Sequence, residues 1–248
     1  RASYGELGAN FLNPYNFDAI AYGPIPYTVG GERYVTGRAA YLKSKDLKWE
    51  TAKTTDIGIE LGFFNNDLTL SLDYFVKKNV DLLAQIDLNL SSGQIFEINS
   101  SREKPYVNTA SVKNTGWEFM MNYRKQLTKD FHIDATFNIA TLKNKVLSLG
   151  ENVQPITSGA MSSYFNDAPS ITMPGEAIGS FYGYKIDGFD AEGNFIFADT
   201  DKNGVVNAND KVILGSPIPD FTYGLNINME YKDFDLTVFF QGVQGNDI

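Results

Sequence analysis

One stretch of the sequence carries both the residue types and the spacing of a calcium-binding loop. Residues 199–210 put oxygen donors at positions 1, 3, 5, 7 and 12, where a twelve-residue calcium loop coordinates its ion. These donors are the side chains of Asp199, Asp201, Asn203 and Asp210 and the backbone carbonyl of Val205. Gly204 at position 6 permits the sharp turn, so the pattern predicts a calcium site.

The residues that flank this loop favour a structural role for the calcium ion. Residues 194–197 and 211–215 are predicted to be extended, whereas a calcium sensor of this type has a helix on each side. An ion that holds several ligands would fix part of a long polar connection and offset its chain entropy. The alternative is an Asp/Asn/Gly-rich surface turn, which forms without metal.

The composition excludes several other chemistries. The 248 residues include no cysteine and a single histidine, His132. A disulfide framework, a thiol nucleophile and a zinc site built from paired histidines are therefore excluded. A net charge of -9 repels phosphate backbones, so no nucleic-acid partner is predicted. His132 occupies a polar position of a predicted strand and no residues stand out as catalytic, so the chain is predicted not to be an enzyme.

The elements that must position the loop are strands with one apolar and one polar face. Apolar and polar residues alternate along much of the chain, with the period of two that is typical of such strands. The apolar stripes are Ile57, Ile59, Leu61 and Phe63; Leu68, Leu70, Leu72, Tyr74 and Val76; Trp117, Phe119, Met121 and Tyr123; Phe131, Ile133, Ala135, Phe137 and Ile139; Phe221, Tyr223, Leu225, Ile227, Met229 and Tyr231; and Phe234, Leu236, Val238 and Phe240.

Short and long connections alternate between these strands. Pairing across a hairpin must leave both apolar stripes on the same face, which predicts Phe63 opposite Leu68 and Tyr231 opposite Phe234. The tight turns are predicted at Asn65 and Asn66, around Leu127, and at Lys232 and Asp233. The long polar connections are residues 8–53, 91–115 and 145–220.

This alternation favours an all-β, antiparallel transmembrane β-barrel segment. Such barrels have short periplasmic turns, long extracellular loops and aromatic residues where the strands cross the two membrane interfaces. Tyr123, Phe131 and Phe234 flank the tight turns, and Tyr74 and Trp117 lie further along the same stripes. A soluble β-sandwich, acting as a calcium-binding carbohydrate module, shows the same alternation and is the competing hypothesis.

One apolar run exceeds the thickness of a bilayer. The alternation that begins at Leu68 continues in phase to Leu90, which at about 3.3 Å per residue extends well beyond the hydrocarbon core. Either a second strand follows a bend at residues 77–79, or a single strand rises above the membrane. The sequence leaves both alternatives open.

Several motifs, taken in order, resemble a known family. They are Arg1-Ala2-Ser3-Tyr4-Gly5, Asp46-Leu47-Lys48-Trp49-Glu50-Thr51, Thr55-Asp56-Ile57-Gly58, Val112-Lys113-Asn114-Thr115-Gly116-Trp117-Glu118, Ile178-Gly179-Ser180-Phe181-Tyr182-Gly183-Tyr184, Pro219-Asp220-Phe221-Thr222-Tyr223-Gly224 and Phe239-Phe240-Gln241-Gly242. Together they resemble the SusC/RagA family of TonB-linked outer-membrane proteins. The resemblance covers nearly the whole chain, and the acidic loop at residues 199–210 resembles a loop of that family.

The resemblance implies a function and a set of partners. It implies a segment of a Gram-negative outer-membrane importer that takes up oligosaccharides or peptides under a SusD-like surface lipoprotein. It also implies energy supplied by TonB through an N-terminal region that this sequence lacks. Residues 1–248 are accordingly expected to be part of a longer barrel, with the plug domain and the terminal strands absent, and residues 199–210 to be an insertion within a long extracellular loop.

Overall fold

The computed structural model describes residues 1–10, 21–39, 47–85, 106–150, 153–159 and 168–248, and its regular elements are almost entirely β-strands. The strands are β1 (Ala2–Ala9), β2 (Ala21–Val29), β3 (Glu32–Ala39), β4 (Glu50–Phe63), β5 (Leu68–Gln85), β6 (Tyr106–Thr128), β7 (Phe131–Thr141), β8 (Lys143–Ser148), β9 (Ile156–Ser158), β10 (Ser170–Thr172), β11 (Ser180–Tyr184), β12 (Ile186–Phe189), β13 (Phe195–Phe197), β14 (Lys211–Gly215), β15 (Phe221–Tyr231) and β16 (Phe234–Gln244). Within the described residues, no helix is long and apolar enough to cross a membrane.

One antiparallel sheet contains all six apolar stripes. Its strand order is β1-β4-β5-β6-β7-β15-β16, and β8 pairs with the free part of β6. Strands that are joined by a tight turn are neighbours, and the long connections all leave from the opposite end of the sheet. Three smaller sheets, β14-β11-β10-β9, β12-β13 and β2-β3, are built within the long connections.

The two faces of the main sheet differ in chemistry. Cross-strand neighbours share a face, so the register aligns the apolar stripes side by side on one surface, here called the apolar face. The apolar face is open: Ile57 is 58% exposed and Phe234 is 78% exposed. The buried hydrophobic side chains among the described residues, Ala110, Val112, Val146, Leu149 and Ile171, all lie outside the stripes. Lipid is the environment that covers such a face.

Two of the predicted tight turns are confirmed. Phe63 pairs with Leu68, and Asn65 and Asn66 between them adopt φ angles of 56° and 68°, which suit a two-residue hairpin turn. The Asp67 backbone N–H donates to the Phe64 carbonyl at 3.1 Å and closes this turn. Tyr231 pairs with Phe234 as predicted.

The turn predicted around Leu127 is wrong by two residues. Strand β6 continues to Thr128, which pairs with Phe131, so the turn consists of Lys129 and Asp130. A register shift between Gln126 and Thr128 leaves Leu127 as the extra residue of a β-bulge. The extra residue in the bulge restores the alternation of side chains across the two strands. Both stripes therefore remain on the apolar face although the turn contains only two residues.

The long apolar run forms a single strand as far as it is described. Strand β5 runs from Leu68 to Gln85 without a break at residues 77–79. A bulge lies just beyond in the pairing with β6, because Asn79 is opposite Val112 and the next residue of β5 that pairs with β6, Leu82, is opposite Ala110. Asp81 in this bulge has a φ of 56°. Residues 86–90 lie outside the described part of the chain, so the outcome concerns residues 68–85.

A buried carboxylate on β5 holds the start of β1 across β4 on the polar face of the sheet. Asp73 is 5% exposed, and its two carboxylate oxygens accept from the Arg1 guanidinium at 3.0 and 2.6 Å. The Ser71 hydroxyl donates to the same carboxylate at 2.9 Å. Gly58 of the intervening strand leaves the space that this group fills, since a Cβ there would overlap Asp73 Oδ1. The glycine is therefore part of the ion pair's packing.

Replacing Gly58 by alanine should destabilise the sheet, because the new methyl group displaces the Asp73 carboxylate from Arg1. Overpacking of this kind costs about 2 kcal/mol, so the full-length protein should lose its folded, heat-modifiable form at a lower temperature. Gly5→Ala on the same face is the matched control, since a Cβ at Gly5 meets nothing within 4 Å. Equal melting of the two variants would contradict the packing role of Gly58.

Candidate polar wall and cation-binding loop

The face opposite the apolar stripes is largely polar and is here called the polar wall, although Met120 and Phe239 are also exposed on it. The Arg124 guanidinium on β6 donates to Asp134 on β7 at 2.8 Å. The same pattern recurs between neighbouring strands, because the Thr136 hydroxyl donates to Asn122 and the Thr237 hydroxyl to Asn228, each at 2.9 Å. These cross-strand pairs hold polar groups in fixed positions while leaving much of the surface hydrated. Such a wall offers donors and acceptors to a polar solute.

The wall contains the single histidine but no catalytic arrangement around it. The register sets His132 opposite Gln126 on β6 and opposite Glu230 on β15, near the tight-turn end of the sheet. Within the described residues, the hydrogen bonds include no nucleophile paired with this imidazole. His132 therefore belongs to the polar face, where the sequence predicts it.

The acidic loop brings its three carboxylates together. One oxygen each of Asp199, Asp201 and Asp210 lie within 4.8 Å of one another. Asp210 is fully buried at 0% exposure, Asp199 is half-buried, and Asp201 is exposed. The arrangement concentrates three negative charges at one spot, which is unfavourable unless a cation or hydrogen-bond donors compensate them.

The backbone of the loop wraps around these carboxylates. Asp199 accepts from the N–H groups of Asn203 at 3.1 Å and Gly204 at 2.7 Å. Gly204 adopts a φ of 87°, a left-handed conformation that suits glycine, so the turn predicted at position 6 is present. The two other predicted donors are also in the loop: Asn203 Oδ1 accepts from the Val205 N–H at 2.8 Å, and the Val205 carbonyl accepts from Asn207 at 3.0 Å.

Asp210 closes the loop through backbone donors. Its Oδ2 accepts from the Asn207 N–H at 2.8 Å, and its Oδ1 from the Thr200 N–H at 2.7 Å. These bonds, the one from Asn207 above all, hold the pKa of the Asp210 carboxyl below its ordinary value even though burial opposes them. Asp210 is therefore ionised at neutral pH and presents a carboxylate to the centre of the loop.

The flanking elements agree with the sequence. Strand β13 precedes the loop and strand β14 follows it directly, and the regular helix in the loop is one short 3-10 turn, Ala208–Asp210. Asn207 caps this turn by accepting from the Asn209 N–H at 2.9 Å. The capping role of Asn207 was missed in the sequence, because the usual capping-box signal has Glu or Gln three residues later and this loop has Asp210 there.

A second feature that sequence periodicity did not single out is the hairpin β12–β13. Ile186 pairs with Phe197 and Phe189 with Phe195, so all four side chains share one face. Phe189 is 65% exposed and Phe195 is 57% exposed, and their rings lie 5.4 Å apart. Residues 186–201 of this segment contain five acidic residues and no lysine or arginine: Asp187, Asp190, Glu192, Asp199 and Asp201. Lys185 and Lys202 border this segment, so the hairpin has an apolar centre within a surround that is mixed but net acidic.

A sheet with one lipid-compatible face, one polar face, tight turns at one end and long connections at the other belongs to the outer-membrane β-barrel class. A family model described as TonB dependent receptor-like, beta-barrel, matches residues 1–246, so the chain belongs to that family. Members of this family reside in the outer membrane of Gram-negative bacteria, which confirms the predicted fold class and location.

Individual relatives agree with this assignment. The chain is 36% identical over 265 aligned positions to TonB-dependent receptor P3 of Formosa agariphila, covering 100% of this chain and 26% of the relative. It is 31% identical over 255 positions to TonB-dependent receptor SusC of Bacteroides thetaiotaomicron, covering 94% of this chain and 24% of the relative. The chain therefore spans about a quarter of the length of these relatives.

Solved structures agree on the fold. The RagAB peptide importer in its open-open state superposes with a TM-score of 0.76 at 22% identity, over 99% of this chain and 26% of that chain. These matches support the SusC/RagA resemblance and give no support to the soluble β-sandwich alternative. The relatives are receptors, so the prediction that the chain is not an enzyme is confirmed.

Proposed function

We propose that this chain is a wall segment of an importer that carries large polar nutrients, oligosaccharides or peptides, across the outer membrane. The observation that carries this proposal is the two-faced sheet, with open apolar stripes on one side and hydrogen-bonded polar pairs on the other. In a barrel the polar face lines the lumen, where hydrated solutes pass. TonB is proposed to supply the energy through a region of the full-length protein outside this chain.

Two nutrient classes fit this wall equally well. Amide and hydroxyl groups such as those of Asn122, Thr136 and Asn228 bond both to sugar hydroxyls and to peptide backbones. One structural neighbour is named a peptide importer, and the family resemblance implies oligosaccharides or peptides, so both classes are tested.

Deleting the full-length gene should abolish growth on the nutrient that the protein imports. The deletion strain is compared with wild type on single oligosaccharides and on peptide mixtures, each as the limiting nutrient, and uptake of the labelled compound is measured. Loss should be confined to one class, should be restored by the intact gene, and should also follow loss of TonB. Unchanged growth and uptake on both classes would contradict the proposed function.

The partner is proposed to be a SusD-like surface lipoprotein, and the hairpin β12–β13 is its proposed contact. Apolar side chains such as Phe189 and Phe195 contribute to association when a partner removes them from water. The acidic surround favours a partner surface with an apolar centre and a basic rim.

Replacing Phe189 and Phe195 together by serine should weaken the complex with the lipoprotein. Removing two central apolar anchors should reduce the lipoprotein that co-purifies with the full-length protein by roughly tenfold or more. Ile196→Ser is the matched control, because Ile196 is 46% exposed but alternates to the other face of the same hairpin. Equal recovery from the double variant and the control would argue against this contact surface.

The acidic loop is proposed to bind a structural calcium ion through Asp199, Asp201, Asn203, Val205 and Asp210. Hard oxygen donors are what calcium requires, and three carboxylates within 4.8 Å form a centre that a divalent cation neutralises. Because the loop lies between β13 and β14, the ion would tie the hairpin to the β14 sheet and restrict the long connection.

Calorimetric titration of the chelator-treated full-length protein should detect calcium binding. Asp199→Ala with Asp201→Ala should abolish the heat, because the loop loses two of its three clustered carboxylates. Asp187→Ala with Glu192→Ala removes the same charge from the neighbouring hairpin and should leave the heat unchanged. Unchanged heats in the Asp199 and Asp201 double variant would exclude the site.

A further inference from the structure

At one height along the strands, the two faces of the main sheet change character. The outward face becomes charged, and the inward face becomes apolar. On β5 the outward side chains are apolar through Leu72, Tyr74 and Val76, and the next outward residue is Lys78. On the inward face the order is reversed, since Val112 and Val146 beyond this level are buried at 3% and 0% exposure. The exchange marks the height at which the sheet leaves the hydrocarbon region.

The strand register assembles lysines at this level into a row. Lys53 on β4 pairs with Lys78 on β5, Lys78 pairs with Lys113 on β6, and Lys113 pairs with Lys145 on β8. Cross-strand partners share a face, so these four side chains, here called the lysine row, all point outward. With strands about 4.8 Å apart, the row is about 14 Å wide.

The height of the lysine row corresponds to the headgroups of the outer leaflet. Tyr74 and Trp117 pair across β5 and β6 with ring centroids 4.8 Å apart, and aromatic rings on the outer face mark the membrane interface. Lys78 and Lys113 lie four residues further from the tight turns, which is about 13 Å along the strands. Their flexible stems reach from there into the phosphate layer.

The lysine row carries more positive charge than the surrounding protein compensates. Lys53 forms an ion pair with Glu6 at 3.1 Å and lies near the Asp81 carboxylate, whereas Lys78, Lys113 and Lys145 have no ion pair within the described residues. Like charges directly opposite one another across strands are destabilising. A sequence that sets four lysines in register therefore points to external anions.

We propose that the lysine row binds the phosphate groups of an anionic lipid in the outer leaflet. The charge, the outward direction and the continuity with the lipid-facing aromatic pair all favour a membrane phosphate over a soluble anion. Lipid phosphates of this kind would neutralise the repulsion within the row and fix the height of the barrel in the membrane. The site is separate from the polar wall, the acidic loop and the hairpin.

Lipid retention by the full-length protein tests the proposal. The protein is assembled in nanodiscs of phosphatidylcholine with lipid A, transferred to detergent, and the lipid A that remains bound is counted by native mass spectrometry. Lys78→Gln, Lys113→Gln and Lys145→Gln combined should retain at least about tenfold less lipid A, because each lysine near a charged membrane surface contributes several-fold to affinity. The corresponding triple arginine variant should retain it.

Matched controls separate lipid binding from general charge loss. Lys77→Gln, Lys185→Gln and Lys202→Gln remove three exposed lysines that lie outside the row and should leave retention unchanged. Inorganic phosphate at millimolar concentration should not displace the lipid. Equal retention by both glutamine triples, or displacement by inorganic phosphate alone, would overturn the proposal.

A measurement on the unmodified protein covers the case in which the glutamine triple fails to fold. Acetylation of Lys78, Lys113 and Lys145 should be slower in nanodiscs that contain lipid A than in phosphatidylcholine alone, while Lys185 reacts equally in both. Acetylation rates at the lysine row that are the same with and without lipid A would overturn the proposal. This includes the case in which a protein partner slows acetylation equally in both kinds of nanodisc.

Discussion

The alternation of side chains across hydrogen-bonded strands is the constraint on which the rest of this structure depends. Once Phe63 is paired with Leu68, the face of every residue on β4 and β5 is determined, and each further strand inherits that choice through its neighbour. The apolar face, the polar wall and the lysine row are therefore consequences of one register. A slip of one residue in the register of any strand pair would point polar side chains toward the lipid.

Features that depend on local sequence could be predicted before the fold was known. Asn65 and Asn66 tolerate positive φ, so their turn followed from residue type, and the acidic loop followed from the spacing of Asp199, Asp201 and Asp210. The stripes predicted the strands because lipid imposes the same requirement along the whole outer face.

Features that depend on pairing between distant segments could not be predicted in this way. The bulge at Leu127 moves the turn but leaves the apolar stripe intact. The alternation of residues is therefore compatible with a turn around Leu127 and with a later turn preceded by a bulge. Lys53 and Lys145 are far apart in sequence, and only the shared register across β5 and β6 brings them onto one line. Strand β13 was predicted, but its pairing with β12 was missed because the four apolar residues are divided between two short strands.

The tight turns fix the register from one end of the sheet only, and this has a consequence for how such proteins diversify. Residues inserted at the opposite end lengthen a connection without moving any paired residue, and doubling a loop costs only about 0.6 kcal/mol in closure entropy. New surface hairpins can therefore accumulate on an unchanged frame. A family built in this way can change its surface connections while keeping the same sheet within the membrane.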